Sequence, residues 1–196
     1  PLATGLLILT VGRGTKIQDL LMSEDKEYEG TMKLGITTSS QDSDGEPLEE
    51  RPVPELTKEE IEAVFDKYRG DFYQLPPMVS AIKKDGVPLY KLARQGKHVE
   101  REPRFVHVYS SAVLAIRLPD IDFRVVCSKG FYVRTFSHDI GESLGCGAHM
   151  SALRRTKSGK FSVEGAVTVD ELKSLSCETL RSRVMSLPSV SRLRGA

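Results

Sequence analysis

Helix and strand periodicities both run through this chain, and they do not alternate regularly; that order constrains the fold more than any single motif. A doubly wound parallel sheet needs a repeating succession of strand, helix and strand. Between Glu27 and Ile36, Tyr28, Gly30, Met32 and Leu34 share one parity and Glu27, Glu29, Thr31 and Lys33 the other, which predicts a half-buried strand. Thr57-Lys58-Glu59-Glu60 then has the form of a capping box, in which the threonine hydroxyl accepts from the third helical amide and the glutamate reaches back to the cap. Ile61, Val64, Phe65 and Tyr68 follow at i, i+3, i+4 and i+7, so a helix with one apolar stripe is expected to end at Gly70. Arg104–Leu118 and Asp122–Ser128 are rich in β-branched and aromatic residues and predict two strands joined by a turn at Pro119-Asp120. Val133, Phe136, Ile140 and Leu144 space as a helix that stops at Gly145, and a second capping box at Thr168 opens a short helix carrying Leu172 and Leu175. The expected class is α+β.

Three stretches lack periodicity. Residues 37–52 combine Ser, Thr, Asp, Gly and Pro with little apolar surface and predict a loop. Residues 74–97 hold two prolines and an Asp85-Gly86 turn before a short Leu89, Leu92, Ala93 stripe, which predicts an exposed loop, a turn and a short helix. Beyond Ser176 the chain is expected to form a basic tail.

With 196 residues, 39% of them hydrophobic and 28% charged, the chain can bury one substantial core, and no apolar run approaches the length of a membrane span. Cys127, Cys146 and Cys177 are odd in number and widely spaced, which points to neither a disulfide framework nor a zinc site and makes a reducing cytosol the default compartment. The net charge of +1 conceals an uneven distribution: nine acids and two bases from Asp42 to Glu62, but seven bases and three acids from Lys83 to Arg104. Clustered bases release counterions from a polyanion whatever the total charge, so a nucleic-acid face is open to this chain. It starts Pro1-Leu2-Ala3-Thr4-Gly5, without a methionine, and reads as a sequence entered in its middle.

Local motifs alone name no catalytic centre. His138-Asp139 could belong to a metal-dependent hydrolase, but His98, His107 and His149 do not stand at helical spacing to it. Gly12-Arg13-Gly14-Thr15-Lys16 lacks the spacing of a phosphate-wrapping loop and is expected to be a plain turn. Ser128–Thr135 takes a strand through a glycine turn into a helix and carries Tyr132 and Arg134, a position that often presents side chains to ligands. Ser151–Lys160 holds four bases and no acid, as suits phosphate contacts or a solvated surface.

Taken together, Pro1–Leu7, Lys26-Glu27-Tyr28, Leu34–Thr38 with Asp44-Gly45, Gln74–Ala81 with Leu89-Tyr90 and Ala93–Gly96, Cys127–Thr135, Asp139-Ile140-Gly141, and Leu153–Thr156 with Gly159 form an ordered series. In order and spacing the series resembles the TruB family of bacterial tRNA pseudouridine synthases over roughly residues 1–165. The resemblance implies a mixed, mainly antiparallel sheet flanked by helices. It also implies a cytoplasmic monomer without cofactor or metal that converts the T-loop uridine of tRNA to pseudouridine, after flipping the base out of its stack. The catalytic domain would span residues 1–176, with an RNA-contacting insertion at about 74–96, and residues 177–196 would be the basic tail.

The family's nucleophilic aspartate lies in a Gly-Thr-Leu-Asp-Pro-x-Ala-Thr-Gly motif, which places it immediately ahead of Pro1, outside this sequence. Tyr28 matches the tyrosine that stacks on the flipped base and takes part in proton transfer. Arg134 matches the arginine that pairs with that aspartate, and is therefore expected here without its partner. Tyr132 and Leu153 match walls of the base pocket, and Lys83, Arg94, Arg154 and Arg155 are expected on the RNA, with Lys84, Lys91 and Lys157 as further bases. The alternative is a catalytically inactive module that binds or folds tRNA.

Overall fold

The computed structural model describes residues 2–80, 82–84, 86–93, 95–97 and 99–195. In chain order the elements are β1 (Thr4–Gly5), a 3-10 turn (Gly12–Ile17), α1 (Gln18–Met22), β2 (Lys26–Leu34), β3 (Ile36–Thr38), β4 (Pro47–Glu50) and α2 (Lys58–Lys67). They continue with β5 (Gly70–Gln74), β6 (Lys83–Lys84), β7 (Val87–Pro88), α3 (Leu89–Ala93), β8 (Arg104–Arg117), β9 (Asp120–Cys127) and α4 (Val133–Ser143). Last come β10 (Ala148–Ser158), β11 (Phe161–Ser162), α5 (Val169–Ser174), α6 (Cys177–Arg183) and α7 (Leu187–Arg194).

The main sheet runs β1-β10-β2-β9-β8-β5, with β11 attached to β10. Only the β1–β10 pairing is parallel, so the sheet is mixed and mainly antiparallel, as expected. The parity of β2 fixes which face is buried: Gly30, Met32 and Leu34 point inward, matched by Ile121, Phe123 and Val125 of β9 and by Val106 and Val108 of β8. Ile61, Val64 and Phe65 of α2 and Phe136 and Ile140 of α4 close this face. Phe65, Phe123 and Phe136 meet at ring separations of 5.6–6.0 Å, with Phe65 edge-on to Phe136, a geometry that adds quadrupole attraction to simple burial.

The capping box of α2 is complete: Glu60 N–H donates to Thr57 Oγ1 at 3.2 Å and Thr57 N–H to Glu60 Oε2 at 2.8 Å. The box of α5 forms in the same way from Thr168 and Glu171. Gly12–Lys16 lies in the 3-10 turn, in keeping with a plain turn.

Two expectations give way. Residues 36–50 form a hairpin rather than a loop, because β3 and β4 pair through main-chain groups that need no apolar side chains. Past Ser176 the chain makes α6 and α7, whose first turns are capped by Ser176 and Ser186, so local hydroxyl caps supply the start signals that hydrophobic spacing does not. The expected turn at Asp85-Gly86 falls partly outside the described residues, since Asp85 is not among them; Gly86 follows β6 with a φ of 80°. Among the described residues no helix is long and apolar enough to cross a membrane.

Candidate active site

Where β2 and β10 run side by side, their inward side chains and the start of α4 border a cleft of about 980 Å³. Its walls include Tyr28 from β2, Leu153 and Met150 from β10, Tyr132 and Arg134 from the head of α4, Asp42 from the hairpin tip, and Met78 and Tyr90 from the 75–97 segment. Leu2 and Ala3, just before β1, complete the wall. Tyr28, Tyr132, Arg134 and Leu153, separated by up to 125 residues in sequence, thus converge in one concavity.

Strand register explains the placement. Tyr28 stands opposite Arg155, and Leu153 opposite Gly30, so Tyr28 and Leu153 share the inward parity. Tyr28 is half-buried, and burial pushes its phenol above the ordinary tyrosine value; the Cys127 thiol adds to the rise and Arg155 opposes it. The phenol is therefore a protonated donor at neutral pH. Burial also pushes the neighbouring Cys127 thiol, a core residue, up to about 12, which keeps it inert.

Arg134 is not without a carboxylate partner. Its Nη1 donates to Asp42 Oδ2 at 3.0 Å and to the Ser40 carbonyl at 3.2 Å, and its Nη2 to the Val79 carbonyl at 2.7 Å. Asp42 is itself buried and held by the Ser40 hydroxyl and by the Asp44 amide at 3.1 Å. Thr38 Oγ1 bonds the Asp42 carbonyl at 2.7 Å, and Thr135 on α4 donates to the Gln41 side chain at 2.8 Å. Nothing in spacing could reveal this pair, since 92 residues separate its members; the local signal was the Ser40-x-Asp42-x-Asp44-Gly45 run, which has the chemistry of an Asx turn. A bidentate-capable guanidinium fixed by a carboxylate and two carbonyls is a rigid positive group at the edge of the cleft.

The expected RNA-contacting bases scatter. Arg155 does not face outward for a phosphate; its guanidinium donates to the Leu6 carbonyl, at 2.8 Å from Nε, and pins the segment after β1 beside β10. Arg154, one residue earlier, takes the opposite parity, is exposed, and borders a separate hollow of about 340 Å³ with Leu2, Thr4 and Glu29. Lys83 is exposed on β6, Lys84 donates to the Glu100 carbonyl at 2.9 Å, and Lys157 pairs with Glu27 at 3.3 Å. Arg94 lies outside the described residues. Lys97, not singled out from the sequence, borders the cleft. His138 and Asp139 sit farther along α4, outside the cleft wall; His138 Nδ1 is buried without a hydrogen-bond partner, and burial raises the Asp139 carboxyl to about 6.

A sheet-floored cleft that joins a half-buried phenol, a second tyrosine, an apolar wall and a clamped arginine has the makings of a site for a flat, polar ring drawn from a polyanion. Known proteins share both sequence and fold. Residues 1–133 match the model of the TruB family pseudouridylate synthase N-terminal domain, and residues 134–190 that of the tRNA pseudouridylate synthase B C-terminal domain. The chain belongs to the TruB family of pseudouridine synthases.

The chain is 54% identical over 185 residues to tRNA pseudouridine synthase B of Opitutus terrae, covering 94% of this chain and 77% of that protein. It is 48% identical over 191 residues to the protein of that name from Francisella philomiragia, covering 97% of this chain and 63% of the relative. Among solved structures, a chain of a Cbf5-Nop10-Gar1 complex superposes with a TM-score of 0.71 at 27% identity, over 97% of this chain and 50% of that one. A chain of an H/ACA RNP bound to a substrate RNA containing 2'-deoxyuridine gives a TM-score of 0.60 at 25% identity, over 89% of this chain and 41% of that one.

Proposed function

We propose that this chain holds the substrate-binding and most of the catalytic wall of a tRNA pseudouridine synthase acting on the T-loop uridine. The observation that carries the proposal is the convergence of Tyr28, Tyr132, Leu153 and the Arg134–Asp42 pair on one cleft whose wall also includes Leu2 and Ala3. A residue joined to the amino end of Pro1 would be within two residues of that wall, so the family's aspartate would enter the cleft beside the flipped base.

In the reaction the N1–C1′ bond of uridine breaks, the base turns, a C5–C1′ bond forms, and the C5 proton leaves while N1 gains one; the product is an isomer of the substrate and no redox partner is needed. Tyr28 stacks on the base and takes part in the proton transfer. Arg134, steadied by Asp42, holds the nucleophile's carboxylate ionised and oriented. Tyr132 and Leu153 confine the base, and Lys97, which borders the cleft, and Arg154, which borders the second hollow, meet the RNA backbone in this reading. Residues 1–176 form the catalytic domain in this reading, with the segment at about 74–96 closing over the T-arm and the basic helices after 176 extending the RNA contact. The working unit is a cytoplasmic monomer.

The test is to incubate unmodified T-arm RNA with this chain and with a form in which Gly-Thr-Leu-Asp precedes Pro1, and to detect pseudouridine by mass spectrometry after derivatisation. Product from the extended form alone is expected. Tight T-arm binding by both forms with product from neither would favour the inactive RNA-binding alternative. In the extended form, Tyr28→Phe is expected to lose most turnover with RNA affinity nearly unchanged, because the ring still stacks.

A further inference from the structure

Helix α4 begins without a side-chain cap of its own. Its N-cap residue is Tyr132, extended at φ −108° and ψ 106°, which offers the first turn no side-chain acceptor. The Tyr132 carbonyl already accepts from Phe136 N–H at 3.0 Å, inside the helix. What fixes this residue from outside is Gln74, 58 positions earlier: Tyr132 N–H donates to Gln74 Oε1 at 2.7 Å, and Gln74 Nε2 donates to the Tyr132 carbonyl at 3.0 Å. One side-chain amide thus satisfies both main-chain groups of a single residue, and only an amide or a protonated acid offers one donor and one acceptor in that arrangement.

Gln74 is itself only 2% exposed, the last residue of β5, and registered opposite Arg104 by the sheet. Its inward parity follows Phe72, which packs on the core, so its position is set by the sheet and not by the segment that follows. An apolar residue at this position would leave the Tyr132 N–H without its acceptor, so the amide is what holds the main chain of a tyrosine that borders the cleft.

We infer that Gln74 is a positioning residue for the reaction: its amide clamps the Tyr132 main chain, and through it sets where the Tyr132 ring stands in the cleft. The inference rests on the proposed pseudouridine synthase activity and adds to it a residue that touches neither base nor nucleophile. The clamp also sits where the chain leaves the sheet for the 75–97 segment, so that segment is anchored to the same residue whose ring it helps enclose.

A double-substitution cycle in the form carrying the aspartate motif tests it. Gln74→Met is expected to lower the single-turnover rate roughly tenfold to thirtyfold while T-arm affinity stays within about threefold, the signature of a misplaced group rather than a lost contact. In a Tyr132→Ala background the same change should cost less than about twofold, because no ring remains to position. Multiplying losses, or an equal loss of binding, would overturn the inference. Gln74→Glu supplies an independent arm: the protonated acid reproduces both hydrogen bonds, so its deficit relative to the unaltered protein should shrink from pH 8 to pH 5.5, and a deficit independent of pH counts against the clamp.

Should either variant fail to fold, amide exchange in the unaltered protein tests the clamp on which the inference stands, with Tyr132 N–H expected to be protected well beyond the turn amides of Lys129 and Gly130. Exchange at the turn rate overturns the inference. An unaltered extended form that makes no pseudouridine would instead defeat the functional proposal, whereas an active one with a multiplicative cycle defeats only the role of Gln74.

Discussion

The hairpin of residues 36–50 and the segment of residues 75–97 share a turn-rich, weakly apolar composition, yet they are held in different ways. The hairpin is stitched along its whole length: Arg51 pairs with Glu142 at 2.9 Å, Ser43 N–H and Met150 N–H exchange bonds with Met150 and Gln41 carbonyls, and Asp42 locks Arg134. Among the described residues the 75–97 segment is tied through Val79 to Arg134, through Arg101, whose Nη1 donates to the Pro76 carbonyl at 2.8 Å, and through Lys84 to the Glu100 carbonyl. It also folds on itself, with Leu89 buried at 2% exposure and Leu89 N–H bonded to the Ile82 carbonyl at 2.7 Å. The difference is one of support: the hairpin bonds both β10 and α4 at several points, whereas the 75–97 segment reaches Arg134 through the Val79 carbonyl.

The comparison breaks most readily at the residue both regions share. Arg134→Lys in the extended form is expected to reduce pseudouridine formation about a thousandfold, roughly 4 kcal/mol, because one ammonium nitrogen cannot reproduce the planar fork whose Nη1 serves Asp42 and Ser40 and whose Nη2 serves Val79. Near-normal single-turnover rates would show that neither region depends on the guanidinium fork.

Next in size is Gly45→Ala at the hairpin tip. A Cβ there would stand 2.4 Å from Ser40 Oγ and 2.6 Å from Ser40 N, so the turn holding Asp42 must open, at a cost of about 2–3 kcal/mol in chemical denaturation. A cost below about 0.5 kcal/mol would mean that the hairpin tip yields to the added methyl group.

A change in α4 away from both regions serves as a control. Burial holds the Asp139 carboxyl at about 6 against an ordinary 3.8, with Glu142 adding to the rise and His138 opposing it. The folded chain keeps that proton at pH values where the unfolded chain has released it, so this group destabilises the fold progressively as pH rises through the window between the two values. Asp139→Asn should therefore stabilise by about 1–2 kcal/mol at pH 8, allowing for its partial exposure, and by almost nothing near pH 3.5. An effect equal at both pH values would assign it to packing.

The smallest effect belongs to Gly86→Ala, where φ is 80° but nothing lies within 4 Å of a built Cβ. Only the left-handed backbone resists, at about 1 kcal/mol, and T-arm binding should be unchanged. A larger loss than at Gly45 would invert the comparison.

Much of the fold was legible from residues alone. Period-two alternation around Met32 and the capped stripe from Ile61 to Tyr68 are local signals, because each depends on neighbours within one or two turns. The hairpin was not legible, since β3 and β4 join through main-chain bonds that side-chain patterns do not report. In the site, Tyr28, Tyr132, Arg134 and Leu153 were found through the ordered motif series, and all four border the cleft. Arg155 carried the same charge signal as Arg154, yet a one-residue shift in strand parity turned it to the Leu6 carbonyl.

The sequence by itself determined the class of fold, the elements that make the core and the residue types gathered for the chemistry, because periodicity, caps and motif order are properties of short range. Only the tertiary structure decided which carboxylate steadies Arg134 and which amide holds Tyr132. Asp42 and Gln74 lie 92 and 58 residues from their partners, and hydrogen bonds act over about 3 Å whatever the distance along the chain.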